Sequence, residues 1–196
     1  MTRTATIARK TAETDITLTL NLDGSGQHTV DTGIGFFDHM LDHIAKHGVF
    51  DLDVHARGDL QVDQHHTIED CGIALGEAVA QATGDRAGLV RAGFAYMPLD
   101  EALGFAAIDL SGRPFAQVDM RLLGREVGGI APDLLQHFLE SFANAAKASV
   151  HVRAVSGVND HHKAEACFKA FGRALDAATR VDARRLGDIP STKGLL

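Results

Sequence analysis

Two stretches of this chain place paired histidines ahead of a glutamate: HHTIEDCGIALGEA from His65 and HHKAEACFKAFGRA from His161. In both, a Glu follows the first His by four residues, a Cys by six and a Gly by eleven. Each copy is preceded by a helical pattern that also carries a histidine, His39 in DHML and His137 in QHFL. Neutral imidazole and carboxylate are the nitrogen and oxygen ligands of divalent transition metals. Helix positions three and four apart share a face. Glu69 is therefore expected near His65 and His66, and Glu165 near His161 and His162. Each copy offers three histidines and one glutamate, and an ion can draw on one copy, on both, or on neighbouring chains. Sites rich in nitrogen, with carboxylate and open positions, suit Mn, Fe, Co or Zn. A lone HHxxE is weak, because most short matches are surface polar residues or satisfied core histidines. Two copies in matching context would leave six histidines without a role.

The neighbours of these residues divide by type. Asp38 and Asp70 adjoin candidate ligands and are expected to orient them as outer acceptors. His43 and His47 follow His39 at helical spacing. His43 reads as a solvated neighbour, while His47 either lines the site or faces the helix dipole. Asp42 reads as solvated, and His28, His55 and His151 as structural residues of strands. Cys71 and Cys167 read as small buried packing residues.

The elements that must position this set follow from periodicity. TATIARK and TDITLTLNLDGSGQHTVD alternate as strands around a DGSG turn. GFFDHMLDHIAKHG carries a helical apolar stripe with Gly48 as its stop. VFDLDVHARG alternates again, and a helix is expected from Thr67 to Thr83 with Gly84 as its stop. The second half repeats that order: strands in FAYMPLDEALGFAAIDLSG and FAQVDM, a helix in LLQHFLESFANAAKA, a strand in SVHVRAV and a helix in HHKAEACFKAFGRALDAATR. LGDIPSTKGLL reads as loop. The pattern predicts one α+β domain built by internal duplication, with repeats of about 1–92 and 93–196. Each repeat is a mainly antiparallel sheet with helices packed on one face.

Composition sets outer bounds. The chain has 196 residues, 45% of them hydrophobic and 23% charged, within the range of globular domains. A net charge of −7 and no basic run argue against nucleic acid. Two cysteines make no disulfide framework and fit a reducing cytoplasm. The N-terminus MTRTATIARK lacks a signal-peptide core, and no apolar run is long enough to cross a membrane.

DTGIGFFDHMLDHIAKHG, GDLQVDQHHTIEDCGIALGEA, DLSGRP, NDHHKAEACFKAFGRAL and PSTKG together resemble imidazoleglycerol-phosphate dehydratase of histidine biosynthesis, in its monofunctional form, from about Ala12 to the C-terminus. The resemblance implies a single catalytic domain of two similar α+β halves, assembly into 24 subunits, and active sites between subunits with two Mn²⁺ each. It implies as metal ligands His39, His65, His66, Glu69, His137, His161, His162 and Glu165. Glu13 in AETDI matches a glutamate that reaches the substrate as an acid/base, and Glu69 and Glu165 join it in the catalytic group. Arg91, Arg113, Lys169, Ser191, Thr192 and Lys193 match residues around the substrate, chiefly at its phosphate. His39, His47, His65 and His161 line the remainder.

The implied chemistry is demanding. Imidazoleglycerol phosphate must lose hydroxide from the carbon beside its ring and a non-acidic proton from the next carbon, giving an enol and then imidazole acetol phosphate. With no carbonyl present, the imidazole ring must be the electron reservoir, passing through a diazafulvene-like stage. Two ions on the two ring nitrogens suit that demand. The residues by themselves leave two other classes open: a binuclear phosphoesterase, which typically uses more aspartate, and a metal-storage protein, for which a ferritin-like bundle would need four long helices.

Overall fold

The computed structural model describes residues 3–195. The first half runs β1 (Thr4–Lys10), β2 (Thr14–Asn21), β3 (His28–Asp31), α1 (Gly35–Gly48), β4 (Asp51–Gly58) and α2 (His65–Thr83). The second half repeats the order: β5 (Ala92–Leu99), β6 (Ala102–Asp109), β7 (Phe115–Asp119), α3 (Pro132–Ala146), β8 (Ser149–Ser156) and α4 (Asp160–Thr179). The sheets are ordered β1-β2-β4-β3 and β5-β6-β8-β7. The first three strands of each are antiparallel, and the last pair is parallel. A parallel pair needs a crossover, and α1 and α3 supply it. The fold is thus α+β with two similar halves, as the pattern predicts.

Alternation sets the buried face of each sheet. Ile16, Leu18 and Leu20 of β2 point inward while Asp15, Thr17 and Thr19 point away. Helices cover the inner face, and the halves meet helix to helix, α1 on α4 and α2 on α3. The seam is aromatic. Phe37 of α1 meets Phe138 of α3 at 5.2 Å between ring centroids, Phe138 meets Phe168 of α4 at 5.8 Å, and Phe142 meets Phe171 at 5.0 Å. All five rings are fully buried, and each such ring contributes a large apolar area to the core.

The glycine eleven residues after the first histidine of each pair has a packing role. A Cβ on Gly76 would lie 2.6 Å from the Phe142 carbonyl oxygen, 2.7 Å from Ala145 Cβ and 2.8 Å from the Ala146 nitrogen. A Cβ on Gly172 would lie 2.8 Å from the Ile44 carbonyl oxygen. These approaches seat α2 on α3 and α4 on α1. Gly76→Ala is therefore expected to destabilise the protein by about 1–3 kcal/mol through overpacking, read as a lowered denaturation midpoint. Gly48 corrects the sequence reading. It is the last helical residue, and the left-handed cap is Val49, at φ 59°. Gly48 is needed because a Cβ there would lie 2.3 Å from the Phe50 ring.

Cys71 and Cys167 are buried free thiols of the core. Burial pushes both upward, Cys167 to about 12. The thiolate is the reactive form, so the native protein should give no fast reaction with a thiol reagent at pH 8. Unfolding in guanidinium should release both thiols.

α2 begins at His65, two residues before the Thr67 start expected from periodicity. The backbone N–H of His65 donates to Asp63 Oδ1 at 2.8 Å. At α4, Asn159 Oδ1 accepts from the N–H of His161 at 2.9 Å and of His162 at 3.4 Å. Each histidine pair thus sits in a first turn where the residue two positions before the first His accepts from free N–H groups, one at α2 and two at α4.

Candidate metal centre

α1 and α4 bring together His39, His43, His161 and Glu165. Glu165 Oε2 lies 3.6 Å from His39 Nε2 and 3.2 Å from His161 Nε2. Its other oxygen, Oε1, lies 3.0 Å from His43 Nε2 and 2.6 Å from Lys169 Nζ. The carboxylate therefore turns one oxygen toward two candidate ligands while the other is held from behind. Burial alone would raise the Glu165 carboxyl, but the hydrogen bond and charge of Lys169, together with the facing imidazoles, outweigh it and hold it well below the usual carboxylate range. Burial lowers His43, so its imidazole is neutral at neutral pH.

α2 and α3 build the matching cluster. His65 and His137 stand 4.7 Å apart between ring centroids, and His137 Nε2 lies 3.3 Å from Glu69 Oε1. His137 Nε2 is buried yet has no hydrogen-bond partner among the described residues. A buried polar atom without a partner calls for an explanation, and a bound ion is one. Ligand atoms of His65, Glu69 and His137 lie within 4.8 Å of one another, as do those of His39, His43 and Glu165. Imidazole nitrogens and one carboxylate in each fit a divalent transition metal.

The grouping crosses the halves. The helix histidine matched between the copies does not join the pair that follows it in sequence: His39 stands with His161 and Glu165, and His137 with His65 and Glu69. The cause is the helix pairing, because α1 packs on α4 and α3 on α2.

His66 and His162 stand outside both clusters. His66 Nδ1 lies 3.1 Å from Asp59 Oδ2, and its Nε2 lies 3.7 Å from Glu13 Oε1. His162 Nδ1 lies 2.8 Å from Glu101 Oε2, and its Nε2 lies 4.0 Å from Asp100 Oδ2. Glu13, in the β1–β2 turn, is half exposed and lines a surface depression with Arg57 and Asp59.

Three sequence expectations change here. Asp38 accepts from the backbone N–H of Thr32 at 3.0 Å, securing the entry to α1 rather than a ligand. Asp70 is buried and accepts from Arg9 Nε at 2.8 Å and from the Thr14 hydroxyl at 2.5 Å, tying α2 to its sheet. His43 is not solvated: its side chain is 14% exposed, and it supports Glu165. The carboxylates that do reach a ring nitrogen of the second histidine of each pair, Asp59 and Glu101, come from the turns that follow β4 and β5.

The remaining residues expected around a substrate fall into two places. Arg91 donates to Asp109 at 2.7 and 3.0 Å and to the Pro190 carbonyl at 2.6 Å, which docks the segment carrying Ser191, Thr192 and Lys193. Its backbone is held at φ 74°, uncommon for a residue with a side chain. Arg113 follows β6 in the adjoining turn, where its N–H faces the Ser111 hydroxyl. Lys169 instead sits at Glu165, and no hydrogen bond or ion pair joins it to Arg91, Arg113 or the C-terminal segment among the described residues. His47 continues the line of His39 and His43 along α1, with ring centroids 5.6 Å from His43.

The family profile described as imidazoleglycerol-phosphate dehydratase matches residues 32–175. The chain is 58% identical to the imidazoleglycerol-phosphate dehydratase of Roseiflexus sp., covering 100% of this chain and 98% of that one. It is 52% identical to that of Acetivibrio thermocellus, covering 100% of both. Among solved structures, the Pyrococcus furiosus protein of that name superposes with a TM-score of 0.84 at 36% identity, covering 97% of this chain and 100% of that one. The Staphylococcus aureus protein gives 0.81 at 31% identity, covering 91% and 99%.

Proposed function

The chain belongs to the imidazoleglycerol-phosphate dehydratase family, hydro-lyases of histidine biosynthesis, and we propose that it converts D-erythro-imidazoleglycerol phosphate to imidazole acetol phosphate and water with two Mn²⁺ per active site. Other divalent transition metals suit the same donors. The observation that carries this reading is the pair of crossed clusters, His39–His161–Glu165 and His65–His137–Glu69. Bound there, the ions would supply charge stabilisation to the substrate's imidazole ring.

The chain's own residues have the remaining tasks. Lys169 and His43 keep Glu165 ionised and oriented. His66 and His162 belong to neither cluster of their own chain, and in this reading they complete those of neighbouring copies. That places the active site between subunits of a homo-oligomer of 24. Glu13 is the proton carrier: its carboxylate Oε1, near His66, takes the carbon-bound proton and returns one as the enol becomes the ketone. Arg91, Arg113, Ser191, Thr192 and Lys193 receive the phosphate, Arg as a planar fork and Lys as a point charge. His47 lines the ring side with His39, His65 and His161. The whole chain acts as one catalytic domain of two repeats.

Among the described residues no helix is long and apolar enough to cross a membrane, and the two buried thiols suit a reducing cytoplasm.

The test is turnover of imidazoleglycerol phosphate by metal-stripped protein before and after Mn²⁺ addition, following ketone and free phosphate together. Ketone only with Mn²⁺, and no phosphate, is the expected result. Phosphate release would replace this reading with a phosphoesterase, and neither product despite bound metal would leave a binding protein.

A further inference from the structure

The geometry points to Glu101 as the positioning residue that sets the tautomer of His162, and so makes its outward nitrogen available to a metal. This rests on His162 being a ligand, as proposed above. Glu101 comes from the β5–β6 turn, far in sequence from His162, and its two oxygens have separate tasks. Oε2 lies 2.8 Å from His162 Nδ1. Oε1 accepts from the backbone N–H of Val158 at 3.1 Å and of Asn159 at 2.9 Å. An ionised carboxylate only accepts, so Nδ1 must carry the ring proton. Nε2 then keeps its lone pair, the form a metal needs.

The first half solves the same problem differently. His66 Nδ1 lies 3.2 and 3.1 Å from the two oxygens of Asp59. Among the described residues no other hydrogen bond reaches that carboxylate, so its two oxygens are interchangeable. This asymmetry gives opposite expectations for amide replacement. In Asp59→Asn the amide can turn its oxygen to His66 and preserve the tautomer. In Glu101→Gln two fixed backbone donors claim the oxygen, and the NH₂ is left facing His162 Nδ1. That nitrogen must then accept, the proton moves to Nε2, and the ligand lone pair is lost.

Mn²⁺ binding by the full-length protein, titrated by electron paramagnetic resonance, tests this with E101Q, D59N and H162A, alongside the denaturation midpoint of each metal-free protein. E101Q should bind Mn²⁺ about 10- to 100-fold more weakly, approaching H162A, with a metal-free midpoint close to wild type. D59N should lose clearly less. The ¹⁵N shifts of His162 in metal-free E101Q should report the Nε2–H tautomer. A merely structural role would lower the midpoint and leave metal affinity and tautomer unchanged. Weakened binding in H162A with wild-type binding in E101Q overturns the positioning role alone. Wild-type binding in H162A overturns the ligand reading beneath it.

Discussion

Removing His39 and Glu165 together should cost one of the two bound ions per subunit, whereas removing His39 and Glu69 together should cost both. The expectation follows from the crossed helix pairs. His39 Nε2 and His161 Nε2 lie 3.6 and 3.2 Å from the same Glu165 oxygen, and His137 Nε2 lies 3.3 Å from Glu69. H39A/E165A strips two donors from one cluster and leaves the other whole. H39A/E69A takes one donor from each, including the only carboxylate of the second cluster among the described residues. Metal content after gel filtration, measured by mass spectrometry, gives the count directly. If each copy instead bound its ion with its own histidines, the outcomes would reverse: H39A/E69A would keep one ion and H39A/E165A would keep none. Both double variants should lose at least about 1000-fold in kcat/KM, because roughly 4 kcal/mol of charge stabilisation disappears with either ion. The metal count therefore carries the discrimination, and activity only confirms that both ions are used.

Much of this arrangement is legible in the sequence, for definite reasons. Amphipathic periodicity places α1 and α4 almost to the residue, because apolar residues at helical spacing must face a core. The internal repeat reveals the duplicated sheet and all eight candidate ligands, since helix geometry binds His65 to Glu69 and His161 to Glu165. The glycines at 76 and 172 are visible as a repeated spacing, although their reason, backbone approach between helices of opposite halves, is tertiary. The crossing itself is not visible: no local pattern states that α1 prefers α4 to α2. Asp59 and Glu101 are missed for the same reason, since each meets its histidine from a turn. Asp38 and Asp70 mislead because adjacency in sequence turns successive helical side chains about 100° apart, so a neighbour of a ligand faces elsewhere. Asp70 is drawn into the sheet by Arg9 and Thr14, and Asp38 back toward Thr32.

Glu13→Gln should lower kcat by about 10²- to 10⁴-fold, the usual contribution of a positioned acid/base, while Mn²⁺ content stays at the wild-type value. The substitution keeps size and hydrogen-bonding reach but cannot accept and return a proton. Glu13 belongs to neither crossed cluster, and its side chain is 52% exposed in the single chain, so folding should be unaffected. Three roles for this carboxylate give three distinct results. A proton carrier loses kcat, keeps KM close to wild type and retains metal. A metal ligand is a real competitor, because Glu13, Asp59 and His66 present donor atoms within 4.8 Å of one another. In that case E13Q would lower the Mn²⁺ count, and activity would return with excess Mn²⁺. A solvated charge at the start of β2 would change neither measurement. Steady-state kinetics at saturating Mn²⁺, paired with metal analysis of the same preparation, separates the three. Lost kcat with a full metal complement is the result that would assign the proton transfer to Glu13. Unchanged kcat would move that task to another group facing the same depression, where Asp59 is the nearest carboxylate to His66.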